Sequence, residues 1–106
     1  VPGLSEETLA AVREGLASAV EQPYGTGYRT VRLDGVAIAG KSGTAETSPE
    51  KADHAWFAGY VPADKPRYAF AVVLEHGGSG SRTAGPVARE MVRFMVDNRF
   101  VDTSVP

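Results

Sequence analysis

Leu9, Val12, Leu16 and Val20 recur every third or fourth residue, the spacing that sets apolar side chains on one face of a helix. Ser5 stands at the N-cap position, and Glu6 and Glu7 fill the first turn, where the helix dipole favours carboxylates. Pro23 ends the pattern, so a helix is predicted over 5–20. Residues 22–29, Gln-Pro-Tyr-Gly-Thr-Gly-Tyr-Arg, form a turn-rich loop. Beyond it the apolar period shortens. Thr30 to Leu33 fits a short strand turned by Asp34-Gly35, and Val36 to Ala45 fits another, ending near Lys41-Ser42-Gly43. Thr47 to Asp53 is polar, contains Pro49 and reads as a loop. His54 to Val61 has strand character through Trp56, Phe57 and Tyr60. Pro62-Ala63-Asp64-Lys65-Pro66 is a hairpin-length connection.

Tyr68 to Glu75 is an almost unbroken apolar run, the mark of a strand buried on both faces. His76 to Ser81 reads as a loop, with Gly77 to Ser81 a hinge or plain connector. Pro86 suits the first turn of a second helix, where its missing N–H is not needed. Val87, Met91 and Phe94 or Met95 keep helical spacing to about Asn98, and the tail after Asp102 is expected to fray. The expected order is a helix, about three antiparallel strands and a helix, an α+β layer.

Bulk properties narrow the partners. The 106 residues suffice for one small domain or part of a larger one, and with 42% hydrophobic and 23% charged residues the chain is expected to fold. Eleven basic residues against 13 acidic ones leave a net charge of -2 and no basic cluster, so no nucleic-acid partner is expected. The absence of cysteine removes disulfides, thiolate metal sites and a cysteine nucleophile, yet leaves the compartment open. Two histidines are too few for a metal cluster with the acids spaced as they are, so neither metal nor cofactor is expected. No apolar run approaches the ~20 residues of a membrane span, and Val1 to Glu7 does not resemble a signal peptide. This segment is not expected to touch a membrane, and any anchor of a parent protein lies outside it.

Two motifs compete for Lys41. Gly35-Val36-Ala37-Ile38-Ala39-Gly40-Lys41-Ser42 matches the phosphate-loop pattern G-x-x-x-x-G-K-[ST], which would make the chain a nucleotide-binding module. That motif needs a helix starting at the lysine, with loop N–H groups wrapped around phosphate. Here the residues between the glycines are apolar and suit a strand, while Gly43, Thr44, Thr47, Ser48 and Pro49 cannot start a helix. The competing motif is Lys-[Ser/Thr]-Gly on an edge strand of a serine acyltransferase. Its substrate, an acyl-D-Ala-D-Ala peptide or a β-lactam, brings a carboxylate. Lys41 supplies positive potential beside it, and the Ser42 and Thr44 hydroxyls can donate hydrogen bonds to it. Gly43 lets the ligand backbone lie along the strand. A backbone N–H just past the glycine can donate into an oxyanion hole, where one lost donor costs about 3–4 kcal/mol.

The surroundings of that motif carry a resemblance. Ala39-Gly40-Lys41-Ser42-Gly43-Thr44-Ala45-Glu46, a polar loop, His54-Ala55-Trp56-Phe57-Ala58-Gly59-Tyr60-Val61-Pro62, a basic turn, and an apolar strand ending Leu74-Glu75 resemble the class B penicillin-binding proteins over residues 5 to 98. The resemblance implies a piece of a transpeptidase fold, a five-stranded antiparallel sheet flanked by helices beside an all-helical subdomain. It makes residues 1–106 the C-terminal portion of a peptidoglycan D,D-transpeptidase domain on the extracytoplasmic face of the membrane, anchored by a segment not present here. It assigns a catalytic role to Lys41 and substrate binding to Ser42, Gly43 and Thr44. The partners implied are a peptidoglycan stem peptide or β-lactam, and the remainder of the domain carrying Ser-x-x-Lys and Ser-x-Asn. It also implies that missing strands pair beside Tyr68 to Glu75, which is therefore expected to be a free edge here.

Those two missing motifs are the main departure. Ser48-Pro49-Glu50-Lys51 spells Ser-x-x-Lys, but it lies in a polar loop after the strand, where the order of motifs is wrong. Ser-x-Asn is absent, since Asn98 is the only asparagine and residue 96 is Val. The chain by itself is expected to be inactive. A non-catalytic binding domain of the same fold is the remaining alternative. His54 is expected to orient the loop after the binding strand, and His76 to sit at a strand end. Trp56, Phe57, Tyr60 and Phe70 are expected to pack sheet against helix, with Trp56 or Tyr60 the candidates to line a cleft. Glu46 is expected to be solvated or paired with an arginine.

Overall fold

The computed structural model describes residues 3, 5–46, 49–50 and 53–101. Helix α1 spans Glu6–Glu21 and starts as its sequence predicts: Ser5 is extended, and its side chain accepts from the Thr8 N–H. Of the predicted apolar stripe only Val20 is fully buried, and Val12 is exposed. The C-terminal half of the helix therefore does the packing, mainly against the first strand.

Residues 22–31 fold back on α1 through turns. The Gly27 N–H reaches the Ala19 carbonyl at 2.9 Å, and the Val31 N–H reaches Gly27 at 2.8 Å. The strand expected at Thr30 to Leu33 does not form. Val31 is fully buried by this turn, and only an isolated bridge between Leu33 and Val36 surrounds the Asp34-Gly35 turn. A β-branched residue can be buried without a strand when local N–H groups already have turn partners.

Strands β1 (Ala39–Ala45), β2 (His54–Val61) and β3 (Tyr68–Leu74) form one antiparallel sheet in the order β1-β2-β3. β1 starts three residues later than expected, because the Ile38 N–H donates to the Glu21 carboxylate of α1 rather than to a neighbouring strand. After β3, a single wide π-turn (Gly80–Ala84) runs into helix α2 (Gly85–Asp97), with Pro86 in its first turn. The Arg89 guanidinium of α2 donates to the Arg29 carbonyl and ties that helix to the loop after α1.

Register decides which side of the sheet is covered. Ser42, Phe57 and Val72 stand opposite one another across the three strands, as do Thr44, Ala55 and Leu74. This face meets the helices: Phe57, Ala55 and Val72 share a core with Val20, Ala84, Ala88 and Val92, and Phe57 stacks on Phe70 at 5.9 Å. The rows Gly43–Trp56–Val73 and Lys41–Ala58–Ala71 lie on the other face by strand alternation. There Ala58, Ala71 and Val73 are exposed, Val73 at 63%. β3 is thus buried on one face only, contrary to its apolar sequence. As an edge strand it has β2 on one side and, among the described residues, no strand on the other, as the resemblance implies. Trp56 and Tyr60 correspondingly leave the helix-packed face, while Phe57 and Phe70 stay on it.

Candidate functional site

Lys41, Ser42 and Gly43 occupy the middle of β1, the edge strand opposite β3. No helix starts at Lys41; the chain runs on as strand to Ala45. Gly35 sits in a turn at φ +92°, and Gly40 already belongs to the strand, so residues 35–42 do not wrap an anion. This geometry removes the phosphate-loop reading.

Alternation along β1 separates the site residues. Lys41 is exposed, and its ammonium donates to the Ser42 carbonyl at 2.9 Å; it forms no ion pair with a carboxylate among the described residues. Its charge is therefore available to a ligand. Ser42 points to the covered face and is 8% exposed. Its hydroxyl oxygen lies 3.3 Å from that of Thr26, in the loop after α1. Gly43 lies beneath the Trp56 indole, and a Cβ there would fall inside the ring system, so no other residue fits without moving Trp56. Thr44 is exposed and its Oγ accepts from the Gly80 N–H at a long 3.5 Å. Gly80 itself rests on the Gly43 backbone so closely that a Cβ would collide with the Gly43 carbonyl. The π-turn ahead of α2 therefore buttresses the strand at the position where a ligand backbone is expected to lie.

Beside Lys41 opens a groove of about 540 Å³. Glu14 and Ser18 of α1, Tyr24, Gly25 and Thr26 of the following loop, and Lys41 line it. The sequence motif contains Lys41 but nothing that singles out Thr26 or Tyr24. Those two come from a segment legible only as turns, and the signal for them is spatial.

His54 and His76 lie at the far end of the sheet, with ring centroids 4.6 Å apart. His54 Nδ1 accepts from the His76 N–H at 2.9 Å, so His54 holds the turn after β3. Glu46 is exposed and without an ion pair among the described residues. Ser48 and Lys51, the Ser-x-x-Lys look-alike, lie outside the described residues. Among the described residues no group of His, Asp and Glu could hold a metal ion. Among the described residues no helix is long and apolar enough to cross a membrane.

Comparison with known proteins converges on one family. The family model described as penicillin binding protein transpeptidase domain matches residues 3–93. Peptidoglycan D,D-transpeptidase MrdA of Haemophilus influenzae is 33% identical over 103 residues, covering 84% of this chain and 16% of that protein. Among solved structures, the transpeptidase domain of the FtsI4 D,D-transpeptidase from Legionella pneumophila aligns with a TM-score of 0.75 and 39% identity, over 85% of this chain and 35% of that one. Penicillin-binding protein A from M. tuberculosis, solved as its ceftriaxone acyl-enzyme complex, aligns with a TM-score of 0.70 and 30% identity, over 85% and 21%. The chain thus spans about a sixth of the length of the MrdA relative.

Proposed function

Because the chain belongs to the penicillin-binding protein transpeptidase family, as a piece of a class B transpeptidase domain, we propose that it supplies the substrate-binding strand of a serine peptidoglycan D,D-transpeptidase. The carrying observation is Lys41-Ser42-Gly43 at the centre of an edge strand, with an open groove beside the lysine. A donor peptide ending in D-Ala-D-Ala, or a β-lactam, would lie along β1 over Gly43. Its terminal carboxylate would take hydrogen bonds from the Ser42 and Thr44 hydroxyls in the field of the Lys41 ammonium. The Thr44 N–H would face the oxygen that becomes negative in the tetrahedral intermediate, where a preorganised donor acts on the transition state more than on the substrate.

The acylated serine belongs to the remainder of the domain, as does the asparagine motif. Absence of Ser-x-Asn from the 106 residues supports this division. The sparsely covered sheet face and the free side of β3 are the surfaces that remainder would cover and pair with. In this reading residues 1–106 are the C-terminal part of the domain, which works outside the cytoplasmic membrane under an anchor elsewhere in the parent chain.

Fluorescent-penicillin labelling of the complete protein tests the proposal. Wild-type protein should label covalently on a serine outside this chain, and Lys41→Ala should label more than about tenfold more slowly while keeping its melting temperature. Labelling within about twofold of wild type in Lys41→Ala would remove the role assigned to that lysine. An adduct on Ser48 would remove the division of labour.

A further inference from the structure

Ser42 carries an unusual burden for a ligand-binding hydroxyl: it is the one buried polar side chain among the described residues. It faces the row of Phe57 and Val72. A serine hydroxyl in apolar surroundings rotates among three staggered positions, and only some aim its proton at a ligand. Its hydroxyl neighbour is that of Thr26, 16 residues away in sequence and 3.3 Å away in space.

Thr26 is well placed to fix that rotation. The loop bearing it is held by the Gly27 N–H on the Ala19 carbonyl at 2.9 Å and the Gly25 N–H on Gln22 at 2.8 Å. Gly25 packs so tightly that a Cβ would meet the Ala19 carbonyl, so the loop cannot drift toward α1. β-Branching restricts the Thr26 side chain further. Thr26 also lines the groove beside Lys41, which puts it on the side from which a ligand would approach.

We propose that Thr26 is a positioning residue for the Ser42 hydroxyl, an inference that rests on the reading of Ser42 as a carboxylate-binding group. Thr26 donates its proton to the Ser42 oxygen, and Ser42 donates its own proton to the ligand carboxylate. A hydroxyl that accepts one hydrogen bond donates a stronger one, so the pair forms a short relay ending on the anion. Removing the Thr26 hydroxyl leaves Ser42 in place but free to turn its proton elsewhere.

A double-mutant cycle in the complete transpeptidase, read as the second-order rate of acylation by a fluorescent penicillin, tests this. Thr26→Val should slow acylation about fivefold, the rate equivalent of one neutral hydrogen bond. Thr26→Ser keeps the hydroxyl and should stay within about twofold of wild type. Ser42→Ala should slow acylation about tenfold, and adding Thr26→Val to it should cost less than about twofold more. Thr26 is exposed, so melting temperatures should not move; if the valine variant melts early, Thr26→Ala takes its place in the cycle. A wild-type rate in Thr26→Val, or an equal loss from it with and without Ser42, overturns the role of Thr26 alone. A wild-type rate in Ser42→Ala overturns the reading of Ser42 itself, and the inference with it.

Discussion

The two faces of the three-stranded sheet differ far more in covering than in composition. One is sealed by α1, the π-turn and α2 around Phe57, Ala55 and Val72. The other carries Trp56, Ala58, Ala71 and Val73, hardly more polar, yet the last three are exposed. A surface strand facing water normally alternates with polar residues, and β3 does not. On the β3 side the second face has the residues of a covered one, although Lys41 stands on its β1 side. That difference teaches that an apolar pattern sets which residues can be buried, while the elements packed on each face decide which are; the chain spans 16% of the length of the MrdA relative.

The largest expected effect lies on the covered face. Phe57→Ala should cost this chain about 3–5 kcal/mol, enough to unfold a small domain, as read from its urea midpoint. A loss below about 1 kcal/mol would mean that the covered face is not the core. Gly43→Ala comes next, because its Cβ would enter the Trp56 indole; about 1–3 kcal/mol of destabilisation is expected from overpacking. A neutral Gly43→Ala would show that Trp56 can swing away. Val73→Ala should cost this chain less than about 0.5 kcal/mol, because the side chain is 63% exposed. The same substitution in the complete domain should cost about 1–2 kcal/mol if that face is covered there. Equal costs in both settings would end the comparison. Hydrogen exchange gives the finest reading: β3 amides at 68–74 should be protected in the complete domain and exchange faster in this chain alone.

How much of this was legible depended on how local the cause was. α1 was readable from Ser5 to Val20 because a cap and a 3.6-residue period are written within a few residues of each other. β2 was readable to the residue, His54–Val61, for the same reason. Thr30 to Leu33 misled because Val31 is buried by a turn whose partners, Gly27 and Ala19, lie upstream. The onset of β1 was displaced by one carboxylate, Glu21, which captures the Ile38 N–H from 17 residues away. β3 misled in a different way, since its run is apolar on both faces while only one of them is buried. Within the candidate site, Lys41 to Thr44 were singled out by their motif, whereas Thr26 is a threonine in a glycine-rich turn and becomes visible only when the chain folds back to Ser42.

Trp56 is the only tryptophan in the 106 residues, and it lies directly on Gly43. The indole is an optical probe placed by the fold against the middle of β1. The ring is half-buried against β1, so an event that separates β1 from β2 should expose it further to water and shift its emission. The chain carries its own dye, fixed where the strand would take its ligand, and no label need be attached to see that strand come loose.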